Sequence, residues 1–220
     1  MGRSMGWVFW TSAALLVWHQ PNAEAVILIN ELLADPPALV GDANGDGVVS
    51  TTQDEFIELV NTAAGSVSLE GWSLSDLIGV RHRFVAGDAA PGFGFFVVFG
   101  GGAPAGFLNA AIASTGTLAL NNTGDTVTLR DNALHPIDIV VYGSEGGMDV
   151  SLTRYPDATG PFVKHTSFGQ SAFSPGRTID GQLVLPHEEE GGRPVVPEPL
   201  TLLLVGGGLV ALPRLRGRRS

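Results

Sequence analysis

Glu55-Phe56-Ile57-Glu58-Leu59-Val60-Asn61, then a small polar spacer, then Gly71-Trp72-Ser73-Leu74-Ser75-Asp76: the reading of this stretch decides the fold. Each half is a short run of β-branched, aromatic and aliphatic residues, and Asn61 to Ser66 between them is turn chemistry. In the second half Trp72 and Leu74 alternate with serines, which predicts one buried and one wet face. Trp72 is expected to lodge between two layers, because a large aromatic supplies so much core burial. Glu58 stands inside an otherwise apolar strand. That placement is costly unless its carboxylate meets an arginine or backbone N–H groups, so it reads as structural.

Outward from this centre the pattern repeats. Ala25 to Leu33 is a continuous apolar run suited to a sandwich interior, stopped by Asp35-Pro36-Pro37. Val80 to Phe84 reads as a strand paired back through Leu77-Ile78-Gly79, and Gly94 to Phe99 as a strongly β-prone one. Thr117 to Leu120 and Thr126 to Arg130 are expected to pair across Asn121-Asn122-Thr123-Gly124-Asp125, which carries the residue types a tight hairpin needs. Asp138 to Tyr142 and Ser151 to Tyr155 complete the set. Short strands at roughly ten-residue spacing, without a helical period, predict an all-β antiparallel sandwich.

The order of these motifs resembles a known family. Glu55 to Asn61, Gly71 to Asp76, Arg83-Phe84, Pro91 to Phe99 and Asn121 to Leu129 together are similar to the lamin-tail domain, over about Ile29 to Arg177. The resemblance implies an immunoglobulin-like β-sandwich, found in nuclear lamins and in secreted bacterial proteins.

The two ends read as targeting segments, each with a short hydrophobic helix. Arg3, an apolar stretch from Met5 to Trp18 and Ala23-Glu24-Ala25 have the layout of a secretory signal peptide over residues 1–25. The sandwich then occupies 26–180. A polar, proline-bearing spacer follows at 181–195, with Glu188-Glu189-Glu190 in it. At 196–220, Val196-Pro197-Glu198-Pro199 precedes an apolar run at 200–212 and four terminal arginines. Thirteen residues fall short of the roughly 20 of a spanning helix, and the basic end would stay cytoplasmic. This tail resembles the PEP-CTERM sorting signal. The resemblance implies processing by an exosortase in a Gram-negative host, transient anchoring by the C-terminal segment, and a mature protein at the cell surface or outside the cell.

The whole chain has 12 basic and 22 acidic residues. Without Arg3, Glu24 and the terminal arginines, 7 and 21 remain, near −14. Nucleic acid is therefore excluded as a partner, since phosphate contacts need Lys/Arg patches. The chain has no cysteine, so stability outside the cell rests on the core alone.

One loop has metal-ligand spacing. In the insertion 41–54, Asp42, Asn44 and Asp46 are followed by Gly47 and then Val48, as in an EF-hand-type calcium loop. Three side chains would turn inward, Val48 would give its carbonyl, and Ser50 could hold a bridging water. Gln53 stands where a bidentate Glu is usual and Asp54 follows one residue late, so Asp54 is the expected fourth side-chain ligand. Calcium here would be structural; a metal-free Asp/Asn/Gly turn is the other reading.

No His-Glu-x-x-His, Gly-x-Ser-x-Gly, P-loop or cysteine nucleophile is present. His82, His135, His165 and His187 are scattered singly, and Gly100-Gly101-Gly102 opens no helix that could cradle phosphate. The chain thus reads as a non-catalytic surface or matrix module. Its expected partners are the exosortase and a matrix protein or exopolysaccharide, with membrane contact only through its ends. The alternatives are a metal-assisted extracellular hydrolase and a plain spacer.

Overall fold

A computed structural model describes residues 27–185. The expected signal peptide, terminal helices and sorting tail lie outside the described residues.

Twelve short strands build the fold: β1 Ile27–Leu33, β2 Phe56–Asn61, β3 Val67–Ser68, β4 Ser73–Ser75, β5 Val80–Arg83, β6 Ala89–Ala90, β7 Phe95–Phe99, β8 Ala110–Ile112, β9 Asp125–Arg130, β10 Pro136–Tyr142, β11 Leu152–Arg154 and β12 Phe162–Lys164. A six-stranded sheet runs β12-β11-β1-β2-β7-β8, and a four-stranded sheet runs β10-β9-β4-β5. β3 and β6 pair separately. Pairing is antiparallel except between β7 and β8, where Val97 faces Ala110 in parallel register. This is the expected all-β, immunoglobulin-like sandwich.

The main core lies between the layers: Ile27, Ile29, Leu32, Ile57, Leu59, Phe96 and Val98 of the first sheet meet Leu74, Val127, Leu129 and Val140 of the second. Asp138 of β10 ties the layers together. Its Oδ2 accepts the Ile29 N–H at 2.9 Å and pairs with the Arg154 guanidinium at 3.1 Å.

The six-stranded sheet is buried on its other side as well, and all six residues of β2 are buried. Ala43, Phe107 and Phe173 cover Leu33, Phe56, Val97 and Phe99 on that outer side. Farther along, Ala158, Leu185 and Phe93 cover Leu28, Val60 and Phe95. The covering pieces are the 41–54 loop, the loops entering β7 and β8, the β11–β12 connection, and the segment after β12.

Several sequence expectations are corrected. Thr117 to Leu120 is not a strand: Ala119 has φ +51°, which interrupts an extended ladder. Leu118 and Leu120 are nonetheless buried, so the alternation reported burial and not pairing. β9 pairs with β4 and β10 instead. Trp72 precedes β4 and is half-buried, packed against the core's margin; Leu74 is the residue that fills the interior. The fold also runs beyond residue 180. Leu185 is buried and donates its N–H to Phe93 O at 2.7 Å, so the first five residues of the expected spacer belong to the domain.

Candidate functional site

The 41–54 loop is held by its own carboxylates. Asp54 is fully buried, and its two oxygens accept the Asn44 N–H at 3.0 Å and the Ser50 N–H at 2.7 Å. Asp42 Oδ2 accepts from Gly47 N–H at 2.9 Å, and Asp46 Oδ1 from Val48 N–H at 2.9 Å. Asn44 Oδ1 accepts from Asp46 N–H at 3.0 Å. Burial pushes the Asp54 carboxyl up; the Asn44 and Ser50 N–H groups pull it back, and the Asp42 charge pushes it up further.

The glycine triplet explains how this loop is seated. A Cβ on Gly100 would stand 2.0 Å from Thr52 O, and one on Gly102 2.4 Å from Asn44 Nδ2. Ala103 N–H reaches Asp46 Oδ2 at 3.0 Å, and Ala105 N–H reaches Asn44 O at 2.8 Å. The triplet is therefore the bed of the loop. From the sequence alone the triplet reads only against a phosphate cradle, because the loop that needs it is some fifty residues away.

Whether this donor set suits calcium turns on what its oxygens have left to offer. Asp42 Oδ1 is buried and has no hydrogen-bond partner, and each paired carboxylate oxygen keeps a second lone pair. All contributing atoms are oxygens, the donors a hard cation prefers. The donor chemistry fits. Among the described residues, however, no three acidic, histidine or cysteine side chains gather into a group that could hold a metal; Asp46 and Asp54 are turned toward backbone N–H donors.

A second polar cluster, unseen in the sequence, lies under the outer cover of the six-stranded sheet. A bulge between Ile29 and Glu31 lets Asn30 and Glu31 both turn outward, and Glu31 stands opposite Glu58. Both carboxyls are fully buried. Glu58 Oε1 accepts from Asn30 Nδ2 at 2.9 Å, and Oε2 from Gly176 N–H at 2.6 Å. Burial holds the Glu58 carboxyl well above its ordinary range, and the neighbouring Glu31 charge adds to it. Glu31 Oε1 accepts from Ser151 Oγ at 2.6 Å and Ser174 N–H at 2.9 Å, while Oε2 accepts from Ser174 Oγ at 2.9 Å. Burial raises Glu31 too, against the lowering pull of His165.

Ser174 Oγ also lies 2.9 Å from His165 Nε2, and His165 Nδ1 lies 2.9 Å from Ser171 O. A carbonyl only accepts, so Nδ1 is the donor there. Serine, histidine and carboxylate are in contact, yet the carboxylate bonds the serine and not the histidine, the reverse of a nucleophile-activating relay. His165 and Glu31 are also fully buried. The cluster is a clamp: it draws residues 171–177 down over the sheet. The structural reading of Glu58 holds, with Gly176 N–H and the Asn30 amide as partners.

Of the other histidines, His82 is buried edge-on against Phe84 at 4.6 Å, and burial pushes its imidazole down. His135 is exposed beside Asp131 at 3.1 Å. His187 and the sorting motif Val196, Pro197, Glu198 and Pro199 lie outside the described residues. At one end of the sandwich, burial lifts the Glu55 carboxyl to about 7, while the N–H groups of Leu120 and Ala119 restrain it.

Comparison with protein families is decisive: the lamin tail domain model matches residues 20–144. The chain belongs to the lamin-tail family. Membership points to a non-catalytic structural or binding module. Comparison with curated proteins gives no significant match. The family match ends before β11, so the clamp residues Ser151, His165, Ser174 and Gly176 all lie beyond it. Among the described residues no helix is long and apolar enough to cross a membrane.

Proposed function

We propose that this lamin-tail protein is an exported, non-catalytic surface or matrix module that binds a protein or an extracellular polysaccharide. The observation that carries the reading is the use made of its reactive-looking groups. Among the described residues, Ser174 and His165 form the one side-chain hydrogen bond between a serine and a histidine, and it is spent on closing the outer cover. A sandwich whose buried chemistry is occupied in this way offers surfaces to partners. The targeting layout of residues 1–25 and the Pro-Glu-Pro tail at 196–220 support export, exosortase processing and display on a Gram-negative cell. The 26–196 segment, incubated with extracellular matrix from such a host, should retain a matrix protein or polysaccharide; no retention above that of an unrelated acidic domain would sink the reading.

A structural calcium ion in the 41–54 loop belongs to the same proposal. Asp42, Asn44, Asp46 and Asp54 would hold it, with the Val48 carbonyl, and it would neutralise the Asp42–Asp54 repulsion. The support is the unpartnered Asp42 Oδ1 and that repulsion. Binding to the folded state alone would raise Tm with calcium concentration. Chelation is expected to lower Tm by several degrees, and Asp42→Asn to abolish the difference. An unchanged melting curve on chelation removes the ion from the account.

A further inference from the structure

On the outer side of the six-stranded sheet, next to the clamp, lies a hollow of about 460 Å³. That volume is in the range of small-molecule sites. The loops entering β7 and β8 form one side, and residues 175–184 the other. Phe95, Phe107, Leu108, Leu183 and Val184 supply apolar wall. Leu108 is 86% exposed, Leu183 54% and Val184 49%, so the rim is apolar surface open to solvent. Phe107 is fixed from behind by the Phe99 ring at 4.8 Å. Gly176 is fixed by its N–H on Glu58. Two parts of the wall are thus anchored by contacts of the fold itself.

Arg177 is the single charged residue of the wall. Among the described residues it meets no carboxylate within ion-pair distance, although acids far outnumber bases in the chain. Its Nη1 donates to Gly181 O at 3.1 Å, which tethers the guanidinium, and among the described residues its other side-chain N–H groups have no hydrogen-bond partner. A planar cation at the edge of an apolar hollow complements one kind of ligand: an aliphatic chain that ends in an anion matched to the guanidinium fork.

We infer that this hollow is a binding site for an aliphatic carboxylate of the medium-chain fatty-acid class. The chain lies against Phe95, Phe107 and Leu108, and the carboxylate meets Arg177. This goes beyond the adhesive function proposed above and is independent of it: matrix binding could fail while this site holds, and the reverse.

The test is calorimetric titration of the folded 26–196 segment, with its fold first verified by near-ultraviolet circular dichroism and the full chain carried alongside. The probes are hexanoate, octanoate and decanoate below their aggregation concentrations, with decanol and decyltrimethylammonium as headgroup controls. Affinity should rise about threefold to fourfold per methylene, as burial of hydrocarbon requires. Decanoate should bind at least tenfold tighter than either control. Arg177→Glu, a change at an exposed residue whose fold is checked by the same dichroism spectrum, should remove that preference, and Arg177→Lys should restore part of it. Leu108→Asp should weaken decanoate binding by a second, separate route. Equal binding of the three headgroups, no dependence on chain length, or an unaffected Arg177→Glu variant would each overturn the proposal. So would preferential capture of a leucine-rich tripeptide in competition with decanoate.

Discussion

Glu58 shows what a single buried acid does to this domain. Its carboxyl is fully buried beside Glu31 and is held well above the ordinary glutamate range, first by burial and then by that neighbouring charge. The folded state therefore keeps a proton that the unfolded chain gives up near pH 4.5, and stability falls as pH rises above that point. Each pH unit by which the folded value exceeds the unfolded one corresponds to about 1.4 kcal/mol, or roughly 3–6 °C in Tm for a domain this size. Glu58→Gln keeps the acceptor for Asn30 and removes the titration. Thermal melts between pH 5 and 8 should decline more shallowly in that variant than in the natural chain; parallel declines would show that Glu58 is not the titrating group. His82 works in the opposite direction. Burial pushes its imidazole below 6.5, so the unfolded chain takes up a proton first and stability is lost as pH drops below 6.5. His82→Leu should flatten that acid limb in the same melts. Glu58 was readable as an anomaly because a carboxylate in an apolar run asks for partners. Glu31 sits in a similar run, but nothing local announced that a one-residue bulge would turn it toward the same buried spot.

At the scale of elements, the strong strands were plain from their residues, since β1, β2, β7 and β10 are runs of branched and aromatic side chains. The error at Thr117 to Leu120 has a definite cause. A segment that alternates buried and exposed side chains looks like a strand whether or not its backbone is laddered, and φ +51° at Ala119 breaks the ladder. The glycines after β7 were opaque for a related reason: what needs them is the distant loop that lies against them. Gly100→Ala would place a methyl 2.0 Å from Thr52 O. The loop or the end of β7 would have to shift, at a cost of about 1–3 kcal/mol by analogy with overpacked cores. Denaturant unfolding should show that loss at an unchanged m-value, whereas full tolerance would mean the loop rests there only loosely.

For the whole molecule, the family match covers only part of what must fold. Residues 151–185 supply Ser151, Ala158, His165, Phe173, Ser174, Gly176 and Leu185, which close the outer side of the larger sheet over two buried carboxyls and two apolar clusters. This cover was poorly readable. Its 168–185 part is short turns rich in glycine and serine with no period, and its hold on the sheet comes from hydrogen bonds to residues more than a hundred positions away. A chain ended at Gly143 would expose Glu31, Glu58, Phe56 and Val60 together. It is expected to lose cooperative thermal unfolding and to bind a hydrophobic dye; a sharp melt from that fragment would show the cover to be dispensable.

β2 has β1 and β7 on its two edges and packed side chains above and below. Solvent can reach its amides through no local fraying, so their deuterium uptake should wait for the entire domain to come apart. The slowest-exchanging protons at Ile57 and Leu59 would then gauge the full unfolding free energy of the protein.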